Sequence, residues 1–492
     1  MTSVDAVILV LYMCAMLGVG FWFLRRNADN DDYYVGGRGM GSTHVGLSVV
    51  ATDVGGGFSI GLGGLGFAMG LSGSWMLFTG FLGAWMAAAL LIPTVFRMGR
   101  RFGLLTYPQV FGSVYSARVA LVAAIISAIG YVGFTSSQVL AGAKLASATI
   151  EGLDLQSALF VMGALAVVYT SMGGMKAVIY TDTVQWILLL VGLIFVGLPI
   201  AYHELGGYTA IRATVPDEML SLSNVGVVQI LNWMFAILPI WFVGMTLYQR
   251  IYACRDERSA RRAWYLAGVL EWPTMAFLGV ALGLLGRVAW QQGYFAAVGF
   301  GPATEMDPEM GLPLLLSQLL PTGMMGLMMA AYFSAILSTA DSCLMAASGN
   351  VTTDILPAKR GTTKRGHLLR SQGFTLGLGV IALVLASSMT SVLDLMLYSY
   401  GFMVSGLLVP TIALLALARP SSRAALAAML GGGGVTITLG ALGIALPAGL
   451  DANIFGISTA LVVFLVVQAN DGGFARKRSV EPMAEELEDS RI

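Results

Sequence analysis

Charge is scarce in this sequence. Of its 492 residues, 27 are Lys or Arg and 27 are Asp or Glu, 11% in all, while hydrophobic residues make up 57%. A water-soluble fold of that length covers itself with far more charge, so that class is excluded for most of the chain. Cysteine is scarce as well. Cys14, Cys254 and Cys343 show no CxxC or Cys/His spacing, which argues against a disulfide framework or a thiolate metal centre. The three histidines, His44, His203 and His367, fall at the ends of apolar stretches or between them, which argues against a buried histidine proton relay. No nucleophile, base and orienting group assemble in a readable motif, and the Gly-rich stretches lack the strand-to-helix setting of a phosphate loop. The expectation is a protein that is not an enzyme, takes no organic cofactor, binds no nucleic acid and needs no obligate protein partner.

Long apolar stretches are abundant instead. Thirteen recur, most of about 18 residues or more, enough at roughly 1.5 Å per residue to cross a hydrocarbon layer of about 30 Å. They run Ala6 to Leu24, His44 to Gly70, Trp75 to Phe96, Val119 to Ile150, Leu155 to Met172, Val178 to Tyr202 and Val225 to Tyr248. Six more follow: Trp264 to Trp290, Leu312 to Ser348, Phe374 to Met389, Val392 to Ala418, Ala424 to Leu446 and Ile454 to Ala469. The first has no basic segment before it and no small-residue cleavage site after it, so it reads as a retained span. The expected fold is an all-α polytopic membrane protein of about thirteen transmembrane helices.

Thirteen spans with the N-terminus outside place 24 of the 27 Lys and Arg residues in the cytoplasm, leaving only Lys144, Arg212 and Arg287 outside. One span more or fewer would spread that bias evenly, so the positive-inside rule favours this count and orientation. The chain is expected in the cell (inner or plasma) membrane, with its C-terminus cytoplasmic. The tail from Asp471 is polar, ends in an acidic run and is too short for a folded domain.

Ionisable side chains inside apolar spans are costly and each raises a functional question. Asp53 lies in Ala51-Thr52-Asp53-Val54-Gly55-Gly56-Gly57, where three successive glycines disfavour helix by about 1 kcal/mol each. A broken helix there exposes backbone carbonyls to a cation; the competing reading is close helix packing through small residues. Asp182 sits four residues into the sixth stretch, at a polar site or at the interface. Asp341 belongs to the ninth, where Ala335, Ser338, Thr339 and Ser342 share one helical face. Their hydroxyls suit a hard cation, or bond back to their own helix. Glu271, before Trp272-Pro273, marks a kink or an interface. Trp241, two residues after Pro239, either packs or gates. Three titratable aspartates also leave a channel or a proton-coupled carrier open.

Together these residues resemble the sodium/solute symporter family, whose members carry proline, glucose, sialic acid, pantothenate and choline. The resemblance covers nearly the whole chain. It rests on Gly173-Gly174-Met175-Lys176-Ala177-Val178 leading to Tyr180-Thr181-Asp182-Thr183-Val184-Gln185, on Ala335 to Ser342, on Gln249-Arg250, and on Asp53 with its glycines. It implies a core of five plus five helices in inverted repeat. The division is then 1–43 an extra helix and basic loop, 44–202 the first repeat, 203–223 an external loop, 224–418 the second repeat, 419–470 two C-terminal helices, and 471–492 a tail.

The resemblance places sodium on Ala51, Val54, Ala335, Ser338 and Thr339, and a second sodium of some members on Asp182, Ser338, Asp341 and Ser342. It places the solute pocket or gate at Asp53, Gly55, Gly56, Gln138, Trp241 and Tyr398. Asp53 departs from choline-type members, which carry an aromatic there, and matches the sodium/proline pattern. The expected activity is sodium-coupled import of a small organic solute, an amino acid, carboxylate, vitamin or similar, by alternating access. Proton coupling or a quaternary-amine solute are the alternatives.

Overall fold

The computed structural model describes residues 1–24, 34–172, 175–357 and 364–474. Among these residues no β-strand forms, and each of the thirteen apolar stretches lies on a helix or a run of helices. In chain order they are α1 (Ser3–Leu24), α2 (Ser42–Met69), and α3, which joins Trp75–Met86 to Ile92–Phe102 through a π-helical turn. The long α4 (Ala117–Thr149), α5 (Leu155–Met172) and α6 (Met175–Gly192, continued by Leu198–Glu204) follow. Next come α7 (Val227–Val243 and Met245–Ala253), α8 (Glu257–Val269 and Ala276–Gln291) and α9 (Met324–Gly349). The last four are α10 (Lys364–Ser387), α11 (Val392–Ala416), α12 (Ser422–Leu442) and α13 (Ala452–Asp471).

Among the described residues, nine helical runs are long and apolar enough to cross a bilayer, or ten if the bent α7 counts as one span. The count falls below thirteen partly because Ser59–Phe102 carries the second and third stretches in one run. The ninth stretch, expected from Leu312 to Ser348, is two helices. Gly311–Leu319 is separate, and Pro321 to Gly323 break the path before α9, with Gly323 at φ +87°. Residues 475–492 of the expected tail and the Gly173-Gly174 pair lie outside the described residues.

Burial decides which helix is central. The apolar window of α9 is 94% buried, against 28% for α12 and for α13 and 22% for α10. A helix covered on all sides has no lipid-facing stripe, so its polar residues are free to serve the interior. Around α9 pack α1, α2, α4 and α6, while α2 also lies against α8, and α7 against α3 and α11.

Besides α8, which is broken at Trp272, α2 and α7 are interrupted at the core. Inside α2, Gly55 has φ +28° and ψ −159°. An added Cβ there would stand 2.7 Å from Thr339 Oγ1 and 2.8 Å from its Cγ2, so glycine is required both for the backbone angle and for the approach of α9. The second break divides α7 after Val243, where its halves bend by 42° at Gly244. The helix runs through Pro239 and bends five residues later.

Candidate cation and solute site

The α2 break meets side chains from two other helices. Gln138 Oε1, on α4, accepts from the backbone N–H groups of Gly56 at 2.8 Å and Gly57 at 3.3 Å, capping the second half of α2. From α9, Thr339 Oγ1 lies 3.2 Å from Ala51 O and 3.1 Å from Ala335 O, and its single proton is shared between them. Three oxygens thus converge at one point, a carbonyl from α2 just before its break and a carbonyl and a hydroxyl from α9. Hard cations take such all-oxygen sets. Val54 is buried immediately before Gly55. Ser338, one residue before Thr339, donates to Asp182 Oδ1.

Behind this point lies a charged cluster with 0% exposure at Arg250, Asp182 and Asp341. Arg250 Nη2 donates to Asp182 Oδ2 at 3.1 Å, to Ser342 Oγ at 3.2 Å and to Thr52 Oγ1 at 2.5 Å, while Nε donates to Ser48 Oγ at 2.9 Å. Ser48 donates to the same Asp182 oxygen. One guanidinium therefore ties the second half of α7 to α2, α6 and α9. A buried ion pair holds together only where hydrogen bonds complete it, and here hydroxyls from two helices do, Ser48 and Thr52 on α2 and Ser338 and Ser342 on α9. The set read for a second sodium is brought together in part: Arg250 already supplies the positive partner of Asp182 and Ser342, while Asp341 is buried beside them with no hydrogen bond from its carboxyl oxygens among the described residues.

A small cavity opens on the other side of Asp53. Thr52 and Asp53 of α2, Tyr131 and Phe134 of α4, Ile240, Gly244, Thr246 and Leu247 of α7, and Tyr400 of α11 line it. It thus sits between the two helix breaks. Tyr400 Oη donates to Asp53 Oδ1 at 3.5 Å, and Tyr131 Oη accepts from Thr246 N at 3.1 Å.

Two residues read for the pocket lie elsewhere. Tyr398 is 67% exposed; two residues along a helix turn a side chain by about 200°, and Tyr400 takes the inward place. Trp241 is buried but packs edge-on against Trp264, with ring centroids 6.5 Å apart, and lies over Gly83. Gly55, Gly56 and Gln138 shape the break. Sequence reasoning missed Arg250 as a site residue and missed Ser48, Thr52, Tyr131, Phe134 and Thr246. The Gln249-Arg250 pair was a visible signal for the first; the others are ordinary residues whose role depends on partners distant in sequence.

An interrupted helix pair that gathers carbonyls and hydroxyls at its breaks defines a class of protein, the secondary transporters. The sodium:solute symporter family matches residues 33–432, and the chain belongs to that family. It is a multi-pass membrane protein. The chain is 28% identical over 485 residues to the osmoregulated proline transporter OpuE of Bacillus subtilis, covering 94% of each chain. To the sodium/proline symporter of Escherichia coli it is 26% identical over 408 residues, covering 80% of this chain and 78% of that one. Sodium/glucose cotransporter 1 of Ovis aries is 23% identical over 406 residues, 75% of this chain and 60% of that one. A solved Na+-coupled sialic acid symporter in a substrate-bound outward-open state shares the fold, with a TM-score of 0.77 at 20% identity over 97% of this chain and all of that one.

Proposed function

We propose that the chain imports a small organic solute with sodium by alternating access, sodium lying on Ala51, Val54, Ala335, Ser338 and Thr339 and the solute beside Asp53. The observation that carries this reading is the Thr339 hydroxyl, which bridges Ala51 O on the broken α2 and Ala335 O on α9. A cation there draws the two helices together, so its binding free energy is coupled to their relative position. That coupling is what a symporter needs: an ion shifts the equilibrium only as far as it binds one form better than the other.

An amino acid is the solute class that best suits the cavity. Asp53 attracts an ammonium group, relatives matched over more than three quarters of the chain are named for proline, and rings from Tyr131, Phe134 and Tyr400 cover an apolar side. The same three rings beside a carboxyl also favour a quaternary amine through cation–π contact, which makes that the second reading. We place the protein in the cell membrane with its N-terminus outside.

Uptake into proteoliposomes tests this. Labelled proline, other amino acids, glucose, choline and betaine are offered with an inward sodium gradient and again with potassium. One of these solutes is expected to accumulate only with sodium, and Ser338→Ala and Thr339→Ala are each expected to weaken the sodium dependence at least tenfold, the loss of about 1.4 kcal/mol of ion binding. Equal uptake in potassium, or both variants behaving as wild type, would overturn the sodium assignment.

A further inference from the structure

Aromatic side chains of membrane helices usually gather at the two edges of the bilayer, yet the outward face shared by α3 and α8 carries rings along its depth. On α3, Trp75, Phe78, Phe81 and Trp85 follow one another at three or four residues, one side of a helix. Each ring meets the next, with centroids 5.2, 6.0 and 4.9 Å apart. Trp272, at the α8 break, closes on Phe78 and Phe81 at 5.0 and 6.1 Å, and Tyr265 stands edge-on to Trp85 at 5.3 Å. Trp85 donates its Nε1 to Tyr265 O at 3.2 Å. It is seated where α8 has no side chain: a Cβ at Gly268 would stand 2.7 Å from its ring. The strip is open on its outer side, with Trp85 41% and Val269 46% exposed.

At one end of the strip the same face turns basic. Arg258, Arg262, Tyr265, Val269 and Trp272 recur at i, i+4, i+7, i+11 and i+14, one side of α8, and Arg261 adjoins them. A carbonyl holds Arg261 in place. The π-helical turn of α3 passes Ile92 N–H to Ala87 O, which leaves Ala88 O to accept from Arg261 Nε at 3.1 Å. Arg261 Nη2 lies 3.5 Å from Tyr265 Oη. Arg258 and Arg262 are exposed, and none of the three arginines makes an ion pair among the described residues. Of the acids beside them, Asp256 accepts from Ser259 N at 2.7 Å and pairs with Arg255, while Glu257, in the first turn of α8, pairs with none of the three. The positive-inside bias accounts for the sign of these residues. It does not account for a guanidinium locked at the mouth of a ring-lined groove.

From Arg261 to Trp272 the helix rises about 16 Å, about half of a hydrocarbon layer of roughly 30 Å. That is the depth of one leaflet. A phospholipid presents the same order, a phosphate at the interface and acyl chains below it. We propose that the groove between α3 and α8 binds an anionic phospholipid, its phosphate on Arg258, Arg261 and Arg262 and one acyl chain along Trp85, Phe81, Val269 and Trp272. Guanidinium groups without a carboxylate partner take phosphate through charge-assisted hydrogen bonds, and basic groups at the ends of membrane helices attract anionic headgroups. A zwitterionic lipid brings its own cation to the arginines and gains less. The proposal rests on neither the sodium nor the solute assignment.

Native mass spectrometry of the full chain released from detergent tests it, with phosphatidylglycerol and phosphatidylcholine of identical acyl chains as probes. Wild type is expected to hold phosphatidylglycerol the more tightly. The triple variant Arg258→Gln, Arg261→Gln, Arg262→Gln is expected to lose at least about tenfold of that preference, since one arginine near an anionic lipid is worth about fivefold. Arg423→Gln, at an exposed position at the start of α12, is expected to keep it, and Trp85→Ala to weaken both lipids alike. Glycerol phosphate in excess is expected to leave the bound lipid in place; its displacing the lipid means a headgroup site without a chain groove and overturns the proposal. Equal binding of the two lipids to wild type overturns it without any variant having to fold. So does a triple variant that retains the preference, or a wild-type dimer that the triple variant separates, which assigns the face to a second copy of the chain.

Discussion

Gly55 carries two demands at once, a left-handed backbone and the near approach of Thr339. Replacing it with Ala forces a Cβ to within 2.7 Å of Thr339 Oγ1 at φ +28°. The backbone angle alone costs a residue with a side chain on the order of 1–3 kcal/mol, and Thr339 must move as well. Gly55→Ala is therefore expected to lower the melting temperature and to shrink the rise in melting temperature that sodium produces in wild type. A variant that keeps both values removes the break from the cation site. Asp53, Thr339 and Ser338 were legible in the sequence because a charge or a hydroxyl face inside an apolar run is conspicuous without a partner. Arg250 and Tyr400 were not, for a different reason. Arg250 closes an apolar stretch and reads as an interface residue until Ser48, Thr52, Asp182 and Ser342 are seen around it. Periodicity reports which face of one helix is polar, not which distant helix supplies the partner.

Helices were legible as elements to within a few residues, since an apolar stretch of this length has few alternatives in a bilayer. Their joints were less so. The ninth stretch concealed the break at Pro321 to Gly323 because the residues on both sides are equally apolar, and the bend in α7 falls at Gly244 instead of Pro239. At that concealed joint the start of α9 is held from outside its own sequence. Asp5 Oδ1, on α1, accepts from Gly323 N at 2.7 Å and Gly326 N at 2.9 Å. It satisfies N–H groups that the first turn of a helix leaves unbonded, the work usually done by a local N-cap. The consequence is that α1, outside the expected repeats, anchors the helix that carries Ser338 and Thr339. Asp5→Ala is expected to cost about 1 kcal/mol, the ordinary worth of such a cap, and Asp5→Asn to recover most of it. Thermal unfolding of the two variants in detergent measures this; equal loss in both means that the negative charge, not the cap, is what matters.

For the whole molecule, the placement of the two breaks is the main evidence about how the halves relate. Gly55 falls in the first helix of the expected first repeat and Gly244 in the first helix of the second, and the cavity lies between them. Matching interruptions in the two halves are what an inverted repeat produces, and alternating access then requires contacts at one end that open and close. One cluster has the right construction. Lys144 Nζ, at the end of α4, donates to Asp307 Oδ2 and to Glu309 Oε2, each at 2.5 Å. Glu309 in turn accepts from Val392 N at 2.9 Å and Leu393 N at 3.0 Å, the start of α11. The connection between α8 and α9 is thus fastened across α4 and α11, the two helices that bring Tyr131, Phe134 and Tyr400 to the cavity. In the orientation we propose, this end lies outside. Lys144→Met removes the cation from an ion pair that is only 2% exposed on the lysine side and leaves Glu309 with its backbone donors, so the fastening weakens while the fold stays intact. Truncating one partner of a buried pair costs on the order of 3 kcal/mol, enough to shift a two-state equilibrium by roughly a hundredfold. In a chain with Cys14, Cys254 and Cys343 replaced by Ser, a cysteine introduced by Thr246→Cys is expected to react faster with an impermeant thiol reagent from outside once Lys144→Met is added. Unchanged labelling would mean that the cluster holds the connection in place without closing the path to the cavity.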